Sequence, residues 1–180
     1  MATTAARAAT EADLMAMPDN GSRYELVDGE IRSMSPAGRP HGRVVVRLTV
    51  RLGAFVEAQC LGESYDSSTG FRMLNGNVRS PDLSFVSATR LEGAAADGYL
   101  PVAPDLAVEI LSPGDRSREV LDKVGEYLDS GVRLVWVIDP EKRSATRYRS
   151  LVDVRTLDVD DVLDGEDVVP GFRCALSEIL

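Results

Sequence analysis

The sequence predicts an α/β (or α+β) fold, a mixed β-sheet with helices packed on it. Three observations carry that expectation. Apolar residues return at helical spacing in two long segments, "HGRVVVRLTVRLGAFVEAQCLG" and "SREVLDKVGEYLDSG". The run "LVWVI", residues 134–138, is apolar on both faces, as a central strand must be. Asp28-Gly29 separates "YELV" from "EIRSM", which is a strong two-residue turn signal and predicts an N-terminal β-hairpin.

Each element follows in order. "TEADLMAMPDNG" predicts a short helix, with Thr10 as its cap, Glu11 and Asp13 in its first turn, and Pro18 to Gly21 ending it. After the hairpin, the valines of the next segment favour a strand, but Val44, Leu48, Leu52 and Phe55 form one helical stripe, with Gly62 as the expected stop. "ESYDSSTGFRML" and "VRSPDLSFVS" predict strands around an Asn75-Gly76 turn. "LEGAAADGYLPVAP" predicts a loop, and "PDLAVEILSP" a buried strand. The following helix puts Val120, Leu121, Val124, Tyr127 and Leu128 on one face and ends at Gly131. "RLVWVID" and "SATRYRS" predict strands, and "DVVPGFRCALSEIL" a turn with a short closing helix.

The 180 residues fit a single domain, with residues 1–10 expected to be flexible. No apolar run is long enough to cross a bilayer, and the first 21 residues lack the apolar stretch of a signal peptide. Cys60 and Cys174 make neither a disulfide framework nor a zinc motif, so a reducing, cytoplasmic setting is expected. The net charge of −9 argues against a protein that coats nucleic acid by bulk electrostatics. It leaves room for an enzyme that positions a phosphate backbone with a local basic patch.

Two acids are out of place. In "PDLAVEILSP", Leu106, Val108 and Ile110 share one face, while Asp105, Ala107 and Glu109 share the other. An unpartnered buried carboxylate costs several kcal/mol, about 2–7 even for a neutral polar group. In "SPDLSFVS", Asp82 starts a strand on the face opposite Leu83 and Phe85. If the two strands are neighbours, Asp82 and Glu109 converge, and a hard divalent cation such as Mg²⁺ would relieve their repulsion. Lys123 lies roughly 40° outside the apolar stripe of its helix, at 100° per residue, where a long side chain can reach along the sheet. Two acids, a lysine and a metal form a constellation that cleaves phosphodiesters. Plainer explanations stand beside this one. Asp82 and Asp105 each follow a proline as turn residues do, Glu109 can pair with an arginine, and Lys123 can be a solvated helix charge.

The segments "YELVDGEIRSMSP", "VRSPDLSFV", "APDLAVEILSPGDR", "DKVGEYLDSGVRLVWVIDPEKR" and "VVPGFR" together resemble the Uma restriction-endonuclease family of the PD-(D/E)XK superfamily. The resemblance runs from about Tyr24 to the end. It implies a restriction-endonuclease-like central mixed sheet flanked by helices, and Mg²⁺- (or Mn²⁺-) dependent cleavage of DNA. It implies Asp82 and Glu109 as the catalytic, metal-binding acids, with the backbone carbonyl of Ile110 as a further ligand. The superfamily's usual lysine, two residues after the second acid, is replaced here by Leu111, and the resemblance gives its part to Lys123. Of the acids that could join from the first hairpin, Glu25 is preferred over Glu30, because Glu25 points opposite Tyr24 and Leu26. His41, the only histidine, stands where a helix start attracts phosphate or water. Arg43, Arg47 and Arg51 make a possible basic ridge on that helix. Cutting both strands of DNA suggests a homodimer. The rival expectations are a catalytically inactive scaffold that keeps the fold, and a phosphodiesterase acting on RNA or small nucleotides.

Overall fold

The computed structural model describes residues 7–94 and 98–180. Helix α1 (Glu11–Met15) is opened by a capping box. The Thr10 side chain accepts from Asp13 N–H, and the Asp13 side chain accepts from Thr10 N–H. Of the ten residues expected to be flexible, 1–6 lie outside the described residues. The remainder are tied down: Ala9 N–H donates to the Gly29 carbonyl at 2.7 Å, and Arg7 pairs with Asp13.

Strands β1 (Arg23–Val27) and β2 (Glu30–Met34) form the expected antiparallel hairpin. Asp28 and Gly29 both take positive φ, 51° and 76°, as a primed two-residue turn requires. Helix α2 (Arg39–Ala58) starts two residues before His41, with Pro40 in its first turn. Val44, Leu48, Leu52 and Val56 are its buried stripe, and Phe55 is only half-buried. Each such side chain contributes about 1.5–3 kcal/mol when fully removed from water.

Gly62 does not stop this helix. The chain turns at Cys60 (φ 52°), and Gly62 already belongs to strand β3 (Gly62–Asp66). A Cβ at Gly62 would sit 2.1 Å from the Val86 carbonyl oxygen, so the glycine is there for close strand approach. The next region is more divided than its pattern predicts. It comprises β4 (Phe71–Arg72), β5 (Val78–Arg79), β6 (Leu83–Ser87) and a one-turn helix α3 (Ala88–Leu91). Gly76 takes φ 86° in the expected Asn75-Gly76 turn.

Strand β7 (Leu106–Ile110), helix α4 (Ser117–Asp129), strand β8 (Leu134–Asp139) and strand β9 (Ser144–Tyr148) match the predicted order. The tail does not. It adds β10 (Val154–Leu157) and a hairpin of β11 (Val162–Asp164) with β12 (Arg173–Ala175), before a 3₁₀ turn at Leu176–Glu178.

Six strands form the central sheet, in the order β10-β9-β8-β7-β6-β3. Only β7 and β8 run parallel, so the sheet is mixed. One face is covered by α2 and the β11–β12 hairpin, which enclose Leu83, Phe85, Leu106, Val108, Leu134 and Trp136. The other face carries α4, whose Val124 and Tyr127 pack with Val86, Ala107, Val135 and Val137. Leu121, expected on that buried face, is 48% exposed. A second sheet, β2-β1-β5-β4, is capped by α1 through Leu14, Leu26 and Val78. No helix among the described residues is long and apolar enough to cross a membrane.

Candidate active site

Strands β6 and β7 are antiparallel neighbours, with Leu83 opposite Val108. That register brings Asp82 and Glu109 to the same end of the sheet, where Glu109 faces α4 and Asp82 meets the first turn of α2. Asp82 is buried. Its Oδ2 accepts the Ile110 backbone N–H at 2.8 Å, which fastens the start of β6 to the end of β7. The same oxygen lies 3.0 Å from His41 Nε2. His41 arrives from the other layer, on the first turn of α2. Oδ1 of Asp82 takes part in no hydrogen bond among the described residues.

Glu109 is paired, and its partners are on α4. Lys123 Nζ donates to Glu109 Oε2 at 3.0 Å and lies 2.9 Å from Oε1, and the Tyr127 hydroxyl donates to Oε1 at 2.6 Å. Lys123 and Tyr127 are four residues apart and so share one side of the helix. Lys123 also lies 3.4 Å from Glu25 Oε1. Its side chain is 17% exposed, so it is no solvated helix charge. Glu25 further accepts Ser80 N–H at 2.9 Å and Arg79 Nη1–H at 3.1 Å. Arg79 is gripped from its far side by Glu126, to which its Nε donates at 2.8 Å.

These contacts set the charges. Burial pushes the Glu109 carboxyl up to about 7; Lys123 opposes that, and Asp82 reinforces it. Burial also opposes charge on Lys123, but Glu109 and Glu25 outweigh it and hold the ammonium above its usual range. For Glu25, burial is outweighed by Lys123 and then Arg79, so its carboxyl is held below the usual value. The hydrogen bond to Asp82 raises His41 against the cost of its burial.

A cleft of about 600 Å³ opens over the Glu109 end of this group and is lined by Glu25, Arg79, Glu109, Ile110, Asp115 and Lys123, with Asp82 and His41 outside its lining. A neighbouring groove of about 510 Å³ shares Leu111, Asp115 and Val120 with it but carries none of Asp82, Glu109 or Lys123. Among the described residues no three His, Cys, Asp or Glu groups converge closely enough to make a metal cage. Two carboxylates with a nearby peptide carbonyl still suit Mg²⁺. That ion usually takes one or two carboxylates and keeps several waters. The donors here are hard oxygens, the kind that ion prefers.

The architecture has a counterpart. A family model described as "Uma2: Putative restriction endonuclease" matches residues 11–177. The chain belongs to the Uma2 family. No curated protein matches it. Among solved structures, a putative nuclease of Anabaena variabilis superposes with a TM-score of 0.81. That alignment covers 94% of this chain and 96% of the other at 18% identity. At that identity the likeness speaks for the fold.

In this Uma2 chain the structure brings Asp82, Glu109, Lys123, Glu25, His41 and Ile110 into one neighbourhood. The expected basic ridge on α2 is partly spent elsewhere. Arg47 donates to the Leu180 carbonyl and Arg51 pairs with Glu178, so both hold the C-terminal segment. Asp105, read as a turn residue, is buried and accepts Ser87 N–H. Sequence reasoning missed Tyr127, Arg79 and Glu126. The spacing Lys123-x-x-x-Tyr127 is the signal that could have found the tyrosine. Arg79 and Glu126 meet across 47 residues and leave no local mark.

Proposed function

We propose that this protein is a Mg²⁺- (or Mn²⁺-) dependent endonuclease that hydrolyses DNA phosphodiester bonds. The observation that carries the reading is the pairing of Glu109 with Lys123 of α4 in an open cleft, with Asp82 beside Glu109 on the adjacent strand. On this reading Lys123 takes the part that Leu111 cannot play, and its contact with Glu109 supports that. Membership of a family described as restriction endonucleases supports the same reaction class.

Hydrolysis adds water across a P–O bond. The water oxygen bonds to phosphorus, the bond to the leaving oxygen breaks, and that oxygen gains a proton. Asp82, Glu109 and the Ile110 carbonyl are the groups that would hold the ion, which supplies charge neutralisation and a water of lowered pKa. Lys123 is a cation in the resting state, which suits it to orient water and to stabilise charge on the phosphate rather than to take a proton. His41 is held toward its protonated form by Asp82, and its second ring nitrogen is free to donate to a phosphate or leaving oxygen.

Supercoiled plasmid with Mg²⁺ or Mn²⁺ is the direct test. We expect cleavage by the wild type and a loss of about 10²-fold or more in each of Asp82→Ala, Glu109→Ala and Lys123→Ala. Linear product formed without nicked circles would mark a homodimer acting on both strands. Cleavage that persists at the wild-type rate in Asp82→Ala and Glu109→Ala would overturn the site. Cleavage of RNA in place of DNA would redirect the substrate, and no cleavage of either would favour a scaffold.

A further inference from the structure

Glu25 and Glu109 both touch Lys123, but they are held very differently. The two oxygens of Glu25 accept from a backbone amide (Ser80, 2.9 Å) and a guanidinium (Arg79, 3.1 Å), with Lys123 at 3.4 Å. Those donors are fixed in turn. Arg79 is clamped between Glu25 and Glu126, and Glu126 also accepts from Asn77 at 2.7 Å. Turning Glu25 toward an ion would leave the buried Ser80 amide without its acceptor and cost the Arg79 guanidinium one of its two carboxylates, which is unfavourable. Among the described residues Glu109 is tied only to Lys123 and Tyr127, and Lys123 has a second acceptor within reach.

We propose that Glu25 is a positioning residue for Lys123 and not a metal ligand. When Glu109 turns to a cation, Lys123 passes to Glu25, and the Arg79–Glu126 clamp keeps Glu25 in place to receive it. This inference rests on the nuclease reading for the identity of the ion. The hand-over keeps the ammonium in the cleft, beside the phosphate, at the moment Glu109 releases it.

The sequence offers a built-in reporter. It contains two lysines, Lys123 and Lys142. The second is 80% exposed and serves as the reference. Acylation by a lysine-selective reagent at one fixed pH, read by mass spectrometry, gives the Lys123 to Lys142 modification ratio. Without metal, Glu25→Gln and Glu109→Gln should each stay within about twofold of wild type, because one carboxylate still holds the lysine. The double variant should rise by about tenfold or more. With Mn²⁺ as the probe, the wild type should stay protected while Glu25→Gln becomes reactive. Glu25→Gln should also bind Mn²⁺ within about twofold of wild type by calorimetry, and Glu109→Gln should lose about 10-fold or more.

Two results would overturn the proposal. One is a Glu109→Gln variant already as reactive as the double variant. The other is Mn²⁺ affinity lost equally in Glu25→Gln and Glu109→Gln. If the wild type binds no Mn²⁺, the metal-dependent reading fails, while the metal-free comparison still decides the role of Glu25. Should Glu25→Gln not fold, Glu25→Asp keeps the charge but shortens the reach. Paired with Glu109→Gln, it is expected to raise the ratio as the double variant does, and an unchanged ratio would count against the hand-over.

Discussion

At the scale of single residues, the site acids and His41 make stability depend on pH in a definite direction. The Glu109 carboxyl titrates near 7 when folded, above its ordinary 4.5. Between those values the folded chain holds a proton that the unfolded chain has lost. Its stabilising contribution is therefore complete below about 4.5 and disappears as the pH rises through 7. His41, also raised, contributes fully below 6.5 and is lost as the pH rises through its folded value. Glu25 acts the other way: its contribution is present above 4.5 and fades only as the pH falls through its lowered value. The metal-free protein is expected to melt several degrees higher at about pH 5.5 than at about pH 8.5, with each kcal/mol worth about 2–4 °C for a chain of this size. Thermal melts in EDTA would check this. Glu109→Gln should flatten part of the difference, and an unchanged slope would show that another group governs it.

Individual elements show which parts of the fold were legible and why. Helix α2 could be read because a 20-residue helix repeats its buried stripe four times, at Val44, Leu48, Leu52 and Val56. The hairpin could be read because Asp28-Gly29 has few other uses. Strands β10, β11 and β12 could not. They have three or four residues each, too few to show a period, although each pairs with its neighbour in the chain, β10 with β9 and β11 with β12. The same distinction runs through the site. Asp82 and Glu109 stood out as acids on the wrong face of a strand. Tyr127 was hidden because its ring belongs to the core while only its hydroxyl serves Glu109. Gly62 was legible as special but misread in kind: its value is the missing side chain against β6 rather than an end to α2. Gly62→Ala is accordingly expected to destabilise the protein by about 2–4 kcal/mol, by forcing β3 from β6. Denaturant unfolding measures this directly, and a loss below about 0.5 kcal/mol would mean that the strand shifts without penalty.

Across the whole molecule, the sheet is the frame on which two helices from opposite faces meet at one end. His41 reaches Asp82 from the first turn of α2, and Lys123 reaches Glu109 from α4. The net charge of −9 is spread over a chain whose arginines are largely engaged in internal pairs, such as Arg147 with Asp153 and Glu166, or Arg149 with Asp167. On the proposed nuclease reading, contact with a phosphate backbone is therefore a local matter for the cleft. The sheet also has an outer border at β10, where Val154, Arg155 and Thr156 are exposed and, among the described residues, no further strand pairs on the outer side. Unpaired strand borders recruit one another, and a charge placed there is a common safeguard. Arg155 is the only charged residue of β10. Arg155→Val would remove the one charge within this β-rich border. That variant should scatter light and lose soluble yield on concentration while its melting temperature hardly moves, and a clear solution at high concentration would show that the border is protected in some other way. One guanidinium, remote from the chemistry, thus sets how crowded a solution this protein tolerates before its sheets begin to join.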